Sequence, residues 1–424
     1  MALWIIEIND SALVAWHDGE RVHTSPSVAL VEARRVVTGA EAQARRHAEP
    51  RLAHDRFWQQ LNELPLAGAT RRCRHHADLA YHHLQAVLAA VGRPAEAVLA
   101  VPADYDGERL ALLLGIAGAL ELRVTGLVDA GTAALAGVAP AGAYTLATLY
   151  RHYATLTDYD VGASVERGAV RVCEPASRAR IDAAWADLVA DAFLDQARFD
   201  PLHAGASEQA LYDALPGWLA AAGTTPEIDL GLPLGGSRVA ARLAARELTR
   251  IPAMVLAPLT EQLDPTRRVV LDAGLTGLPG ATALFAGAPL LPAEAVARGI
   301  AEHRLALGAS GGDTVPFTTA LPATRTPTLA TAAPANAATV THLVAGGLAR
   351  ALAGGPLGLG ADGRFVAAAS AAAVVAQSDA RAMLSPAGAA IGVNGVAVTT
   401  TRALAPGDRI TLPGAVEFLA IHVD

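Results

Sequence analysis

Twice along the chain a strand-rich stretch gives way to helical periodicity, and this alternation restricts the fold severely. Leu3–Ile8 is an apolar run of strand length, Asp10-Ser11 makes a turn, and Ala12–Trp16 continues as a second strand. His17-Asp18-Gly19-Glu20 predicts a hairpin leading to a third strand at Val28–Val31. Farther on, Ala77–Val91, Gly107–Leu120, Ala183–Ala197 and Ser207–Ala222 carry apolar residues at three-and-four spacing, the pattern of amphipathic helices. Ala97–Val101, Arg123–Val128, Tyr144–Tyr150 and Val269–Asp272 read as strands. Strands feeding helices in two successive halves predict an α/β architecture of layered sheets.

The texture changes near residue 309. From Ala309 to Thr339 the chain is rich in Ala, Thr, Pro and Gly without periodicity, which predicts a semi-extended linker over 309–339, between a domain at 1–308 and another at 340–424. In the last block turn signals recur at Gly354-Gly355, Pro386-Ala387-Gly388, Asn394-Gly395 and Pro406-Gly407-Asp408, as in a small β-sandwich. Hydrophobic residues make up 52% of the chain but aromatics only 4%, so the cores should be built from small side chains, chiefly alanine. A net charge of −8, with no basic run beyond Arg71-Arg72-Cys73-Arg74, argues against a nucleic-acid partner. No apolar run approaches the roughly 20 residues of a membrane span, so no membrane insertion is expected. Met1–Ile8 has neither a basic leader nor a cleavage site, and Cys73 and Cys173 are too few for a disulfide framework, so a cytoplasmic location is expected.

All 33 basic side chains are arginine; the chain contains no lysine. The planar guanidinium does not replace a compact, movable ammonium in a tight phosphate site, so any ATPase mechanism that needs a lysine is excluded. Cys73, His75, His76, His82 and His83 crowd one predicted helix. The spacing of His75 and His82 is compatible with a metal on one face, but the adjacent pairs point around the helix and only Asp78 is at hand, so a solvated face without metal is expected. Asp104, Asp106 and Glu108 follow a strand end, where a helix N-terminus favours acids on dipole grounds. Cys173 has only Arg171 as a basic neighbour and reads as a strand cysteine.

Six segments, in order, resemble the nucleotide-binding domain of the DnaK-type heat-shock chaperones within the actin superfamily. They are Thr24–Ala29, Thr38–Ala42, Ala97–Ala103, Ile116–Glu121, Asp129–Gly137 and Gly274–Pro279 with the following Pro292–Gly299. The resemblance covers residues 1–308 and implies an actin-like two-lobed ATPase fold, made of duplicated ribonuclease-H-like domains, with ATP and Mg2+ held between two β-hairpins. Glycine-rich turns allow such hairpins to approach phosphates. Here the first turn aligns as Glu7-Ile8-Asn9-Asp10-Ser11; glycine is missing and Asp10 sets an anion beside the phosphate path. The second turn aligns as Tyr150-Arg151-His152-Tyr153-Ala154-Thr155, with bulky rings in that path; a competing register uses Asp160-Val161-Gly162-Ala163-Ser164. The family's hydrolytic glutamate falls on Ala130, its lysine near Gln60, its glycine pair on Ala273-Gly274 and its adenine-packing arginine on Gly277.

The resemblance with these departures implies a pseudo-ATPase without a nucleotide cofactor, acting as a scaffold or assembly adaptor for an unknown protein partner. Glu7, Asn9, Asp10, Ser11, Asp129, Tyr150, His152, Ala273, Gly274 and Gly277 are then a remnant cleft with no catalytic residue. The alternative is a slowly hydrolysing ATP binder that uses a site rebuilt from Glu7, Asp160 and Ser164. A peptide-binding chaperone is not expected, because no substrate-binding domain is visible after residue 308. Gly355–Gly360, Val393–Val396 and Leu404–Leu412 resemble the opening and closing strands of a forkhead-associated domain. Asn394-Gly395 is equally a hairpin signal of any β-sandwich. In that family an arginine holds the phosphate; here the position is Ala361 after Gly360, so phosphopeptide recognition is not expected.

Overall fold

A computed structural model describes the chain except residues 1–2, 67, 277, 286, 308–314, 325–327, 330–339, 347, 379–380, 388–390, 394–395, 399–400, 405–407, 414–415 and 422–424. The fold is mixed α/β with several sheets, and the chain divides into two compact units, Met1–Thr331 and Ala332–Asp424.

In the first unit, β1 (Trp4–Ile8), β2 (Ala12–His17) and β3 (Glu20–Pro26) form an antiparallel meander. The third strand therefore starts directly after Gly19, earlier than expected. Val28–Val31 supplies β4 (Ala29–Val31) instead, which pairs with β5 (Val36–Thr38) and β6 (Ala53–His54) in a separate three-stranded sheet. The main sheet continues through β7 (Glu96–Val101), parallel to β1, and β8 (Arg123–Asp129), parallel to β7.

The pattern then repeats. β9 (Gly142–Leu149), β10 (Ala154–Val161) and β11 (Ser164–Cys173) form a second antiparallel meander. A separate hairpin, β12 (Glu227–Leu234) and β13 (Ser237–Ala244), intervenes before β14 (Arg268–Leu271) joins β9 in parallel. Within the expected linker 309–339, β15 (Phe317–Thr318) pairs with β8 and β16 (Ala320–Pro322) with β11. That part of the segment is thus an edge strand of each sheet; most of the remaining linker lies outside the described residues.

Among the described residues three larger cores hold this unit together, beside a small one of Val28, Leu30, Val37 and Ala42. One lies between the first sheet and the helices His76–Ala90 and Gly107–Ala119, and another between the second sheet and the helices Arg178–Ala197, Gly205–Ala222 and Ala245–Thr260. The third joins the sheets, with Ile5 and Val98 from one and Tyr144, Leu146 and Val270 from the other. It includes the helix Ala130–Ala136, small-residued except for Leu135, against Ala295–Glu302, where a Cβ on Gly299 would strike the Ala133 backbone. Alanine-rich composition therefore becomes close helix approach, not loose packing.

The second unit is two antiparallel sheets around one shared core that includes Leu343, Leu359, Val375, Leu384, Ile410 and Phe418. This is the arrangement of a β-sandwich.

Candidate functional site

The β1–β2 turn is built by Asn9, whose Oδ1 accepts the N–H groups of Ser11 at 2.9 Å and Ala12 at 3.0 Å. Ser27 Oγ donates to the Asn9 carbonyl at 2.8 Å and pins the turn to the strand that follows. Asp10 at its tip is 1% exposed, and its carboxylate accepts the backbone N–H of Arg151 and of His152, each at 2.9 Å. Those two residues form the β9–β10 turn, closed by the Tyr150 N–H on the Tyr153 carbonyl. The meander tips of the two sheets therefore meet, with the Asp10 side chain of one capping the amides of the other.

The rest of the β9–β10 turn is also committed. The Tyr150 and Arg151 carbonyls accept the first N–H groups of the Arg178–Ala197 helix, from Arg178 at 3.0 Å and Ala179 at 2.8 Å. Arg151 Nε donates to Asp55 Oδ2 at 3.0 Å, with Arg46 Nη1 at 3.5 Å from the same oxygen. His152 Nε2 is 3.0 Å from Asp55 Oδ1 but out of line for a hydrogen bond. Burial, with the nearby Arg56 and Arg46 charges, pushes His152 down to about 4, so the ring is neutral. Burial pushes Asp10 up to about 8; the His152 N–H opposes this, and the Asp104 and Asp55 carboxylates add to it.

Beside this junction lies a cavity of about 330 Å³ that gathers Glu7, Asn9, Ser11, Asp129, Tyr150, Ala273 and Gly274 from the expected cleft. Asp10 and His152 do not line it; they are bonded to each other alongside. Gly277 lies outside the described residues. Ala130, which the resemblance aligned with a hydrolytic glutamate, is on the wall, whereas Gln60 is exposed and not on it.

The rebuilt site of the alternative reading is not assembled. Glu7 is on the cavity wall, but Asp160 and Ser164 sit at the opposite end of β10 from the Tyr150–Tyr153 turn. There Asp160 is held by Arg267 Nη1 at 3.0 Å, and Ser164 Oγ donates to Glu166 at 2.8 Å. A strand of eight residues separates the two turns, and the competing register had no way to sense that separation.

The cavity's polar wall includes residues that the sequence did not single out, notably Trp16, Tyr159, Arg178 and Asp272. Asp272 stands at the C-terminal end of β14 directly before Ala273-Gly274, and a carboxylate closing an apolar strand was the available signal. Its Oδ1 accepts the Gly274 N–H at 2.7 Å, and burial raises its pKa. Burial also pushes Glu7 up to about 8; the Trp16 indole opposes this, and the Asp272 charge adds to it. Asp129 is wholly buried; its Oδ2 takes the Thr132 N–H at 2.8 Å, the Thr132 hydroxyl at 2.6 Å and the Tyr159 hydroxyl at 2.7 Å, and burial raises its pKa.

One of the clustered histidines departs from the expected solvated face. His83 is fully buried, accepting the Trp58 indole N–H on Nδ1 at 3.0 Å and facing Ser25 Oγ across 2.8 Å from Nε2. Burial pushes its pKa down to about 3, so it is a neutral core bridge between β3 and the Trp58 segment. Among the acids after β7, Asp106 caps the Gly107–Ala119 helix, while Asp104 pairs with Arg109 at 3.0 Å and accepts the Tyr153 hydroxyl at 3.0 Å.

In the sandwich, Ala361 is exposed in a tight loop where the Gly360 N–H donates to the Arg364 carbonyl at 2.9 Å and Asp362 Oδ1 accepts the Arg364 N–H at 3.2 Å. Asn394 and Gly395 lie outside the described residues.

No family model matches the chain, and no curated protein matches it.

Proposed function

We propose that the chain is a catalytically inactive actin-like protein, a pseudo-ATPase that serves as a scaffold or assembly adaptor for another protein. The observation that carries this reading is the Asp10 carboxylate on the backbone N–H groups of Arg151 and His152. A turn that cradles phosphate needs free amides; here both are satisfied by the chain's own Asp10 side chain. An incoming phosphate would have to displace Asp10 from both amides. The missing lysine, Ala130 in place of a carboxylate and the rings of Tyr150 and Tyr153 act in the same direction. The repeated order of a meander followed by a parallel strand supports the actin-like part of the reading.

Calorimetric titration with Mg-ATP tests it. No binding tighter than about 100 μM is expected, a free energy of roughly 5.5 kcal/mol, and no hydrolysis above background. A micromolar dissociation constant overturns the reading. The adaptor role is tested by a pull-down from the native cell with mass spectrometry, where recovery of the bait alone argues against it.

A further inference from the structure

The cavity beside Asp10 is lined by carboxyl groups that burial holds above their ordinary range, and a bound cation would draw out their protons. Glu7, Asp129 and Asp272 lie on its wall, against Arg21 and Arg178 as the arginines there. Arg178 is engaged, donating to Asp182 at 2.7 Å with its guanidinium over the Trp185 ring, and Arg21 is solvent-exposed. Two of the three carboxylates have an oxygen without a hydrogen bond, Glu7 Oε1 and Asp129 Oδ1. Asp129 is wholly buried, with all three of its donors on Oδ2, and the Arg167 Nη1 is 3.8 Å from Oδ1. A buried carboxylate oxygen without a donor is costly, and native proteins normally satisfy it.

The three carboxyl groups come from β1, from the end of β8 and from the residue after β14. Among the described residues no three His, Cys, Asp or Glu groups come together to hold one metal ion. Trp16, Tyr150 and Tyr159 line the same cavity, and Val14, Leu146 and Leu291 supply apolar wall. Carboxyl groups from three separate elements, aromatic rings and a cavity within the size range of small-molecule sites, roughly 300–1,000 Å³, favour an extended organic cation over a point charge.

We propose that this cavity binds an aliphatic organic dication, a diamine or guanidino-amine, its two cationic ends held by Glu7, Asp129 and Asp272 and its chain by the aromatic wall. The proposal does not depend on the adaptor role.

The test uses the full chain, with thermal unfolding and calorimetry against putrescine and agmatine, and with n-butylamine and MgCl2 at matched ionic strength. A saturable rise in Tm with the dications, and affinity weakened about tenfold by Glu7→Gln with Asp272→Asn, is expected. Asp272→Asn alone, whose amide oxygen still accepts the Gly274 N–H, serves if the double variant does not fold. Equal effects from butylamine or MgCl2, no effect from either dication, or binding unchanged in the variants overturns the proposal. Mg-ATP run in parallel reports separately on the pseudo-ATPase reading.

Discussion

Asp10 Oδ2 accepts the backbone N–H of His152 at 2.9 Å, across 142 positions of sequence. With the matching bond from Arg151, this contact ties the meander tip of one sheet to that of the other at a junction where all three residues are buried. Asp10→Ala leaves two buried N–H groups unpaired, each costing about 1–3 kcal/mol, while relieving the burial of a carboxylate. A net loss of about 1–3 kcal/mol in urea unfolding is expected. An unchanged midpoint would show that the turns are held by other contacts.

Asp10 and Glu7 both have folded pKa values near 8, against ordinary values of 3.8 and 4.5. The folded state therefore binds their protons more tightly than the unfolded state does. The resulting stability is fully present below the ordinary values and is lost as pH rises through about 8. Urea midpoints should fall between about pH 5 and about pH 9, and Glu7→Gln should flatten that slope and gain about 2 kcal/mol at the alkaline end. A midpoint that rises with pH over this range contradicts the assignment.

A second latch joins the segment after β5 to the Gly205–Ala222 helix. His47 Nδ1 is 2.8 Å from Glu208 Oε1, the His47 N–H donates to Gln209 Oε1 at 2.9 Å, and the His47 ring stacks on Tyr212 at 3.7 Å. The backbones approach so closely that a Cβ on Gly205 would lie 2.7 Å from the His47 carbonyl oxygen. Gly205→Ala is expected to cost about 1–3 kcal/mol and to speed proteolysis in the segment 40–55. Wild-type protection there would mean that the latch does not hold the segment.

Tyr153 is 1% exposed, packs against Tyr150 with ring centroids 4.7 Å apart and donates its hydroxyl to Asp104. Tyr153→Ala should cost about 3–5 kcal/mol through the cavity it leaves, and Tyr153→Phe about 1 kcal/mol through the lost hydrogen bond. Equal effects of the two variants would place the whole contribution in the hydroxyl.

For the sandwich, Ala361 offers no charge-assisted donor to a phosphate. A matched peptide array on residues 340–424 is expected to show no preference for phosphorylated sequences. Tenfold tighter capture of the phosphorylated set, about 1.4 kcal/mol, would reveal a phosphate-binding arginine elsewhere on the surface.

Local periodicity alone located β7, β8, β9 and the helices at 76–90, 107–119 and 205–222 to within a few residues, because each is governed by neighbours three or four positions away or by alternation. The absence of lysine was equally legible, and no tertiary contact can restore it. Other features depended on long-range partners. Val28–Val31 reads as a strand in either sheet, and only pairing with β5 and β6 decided which. His83 looks like one of four surface histidines until Ser25 and Trp58, 58 and 25 positions away, take both ring nitrogens. Asp10 reads as an anion that repels a ligand; the fold turns it into the ligand of the opposite turn, because a buried carboxylate takes whatever N–H groups the chain brings to it.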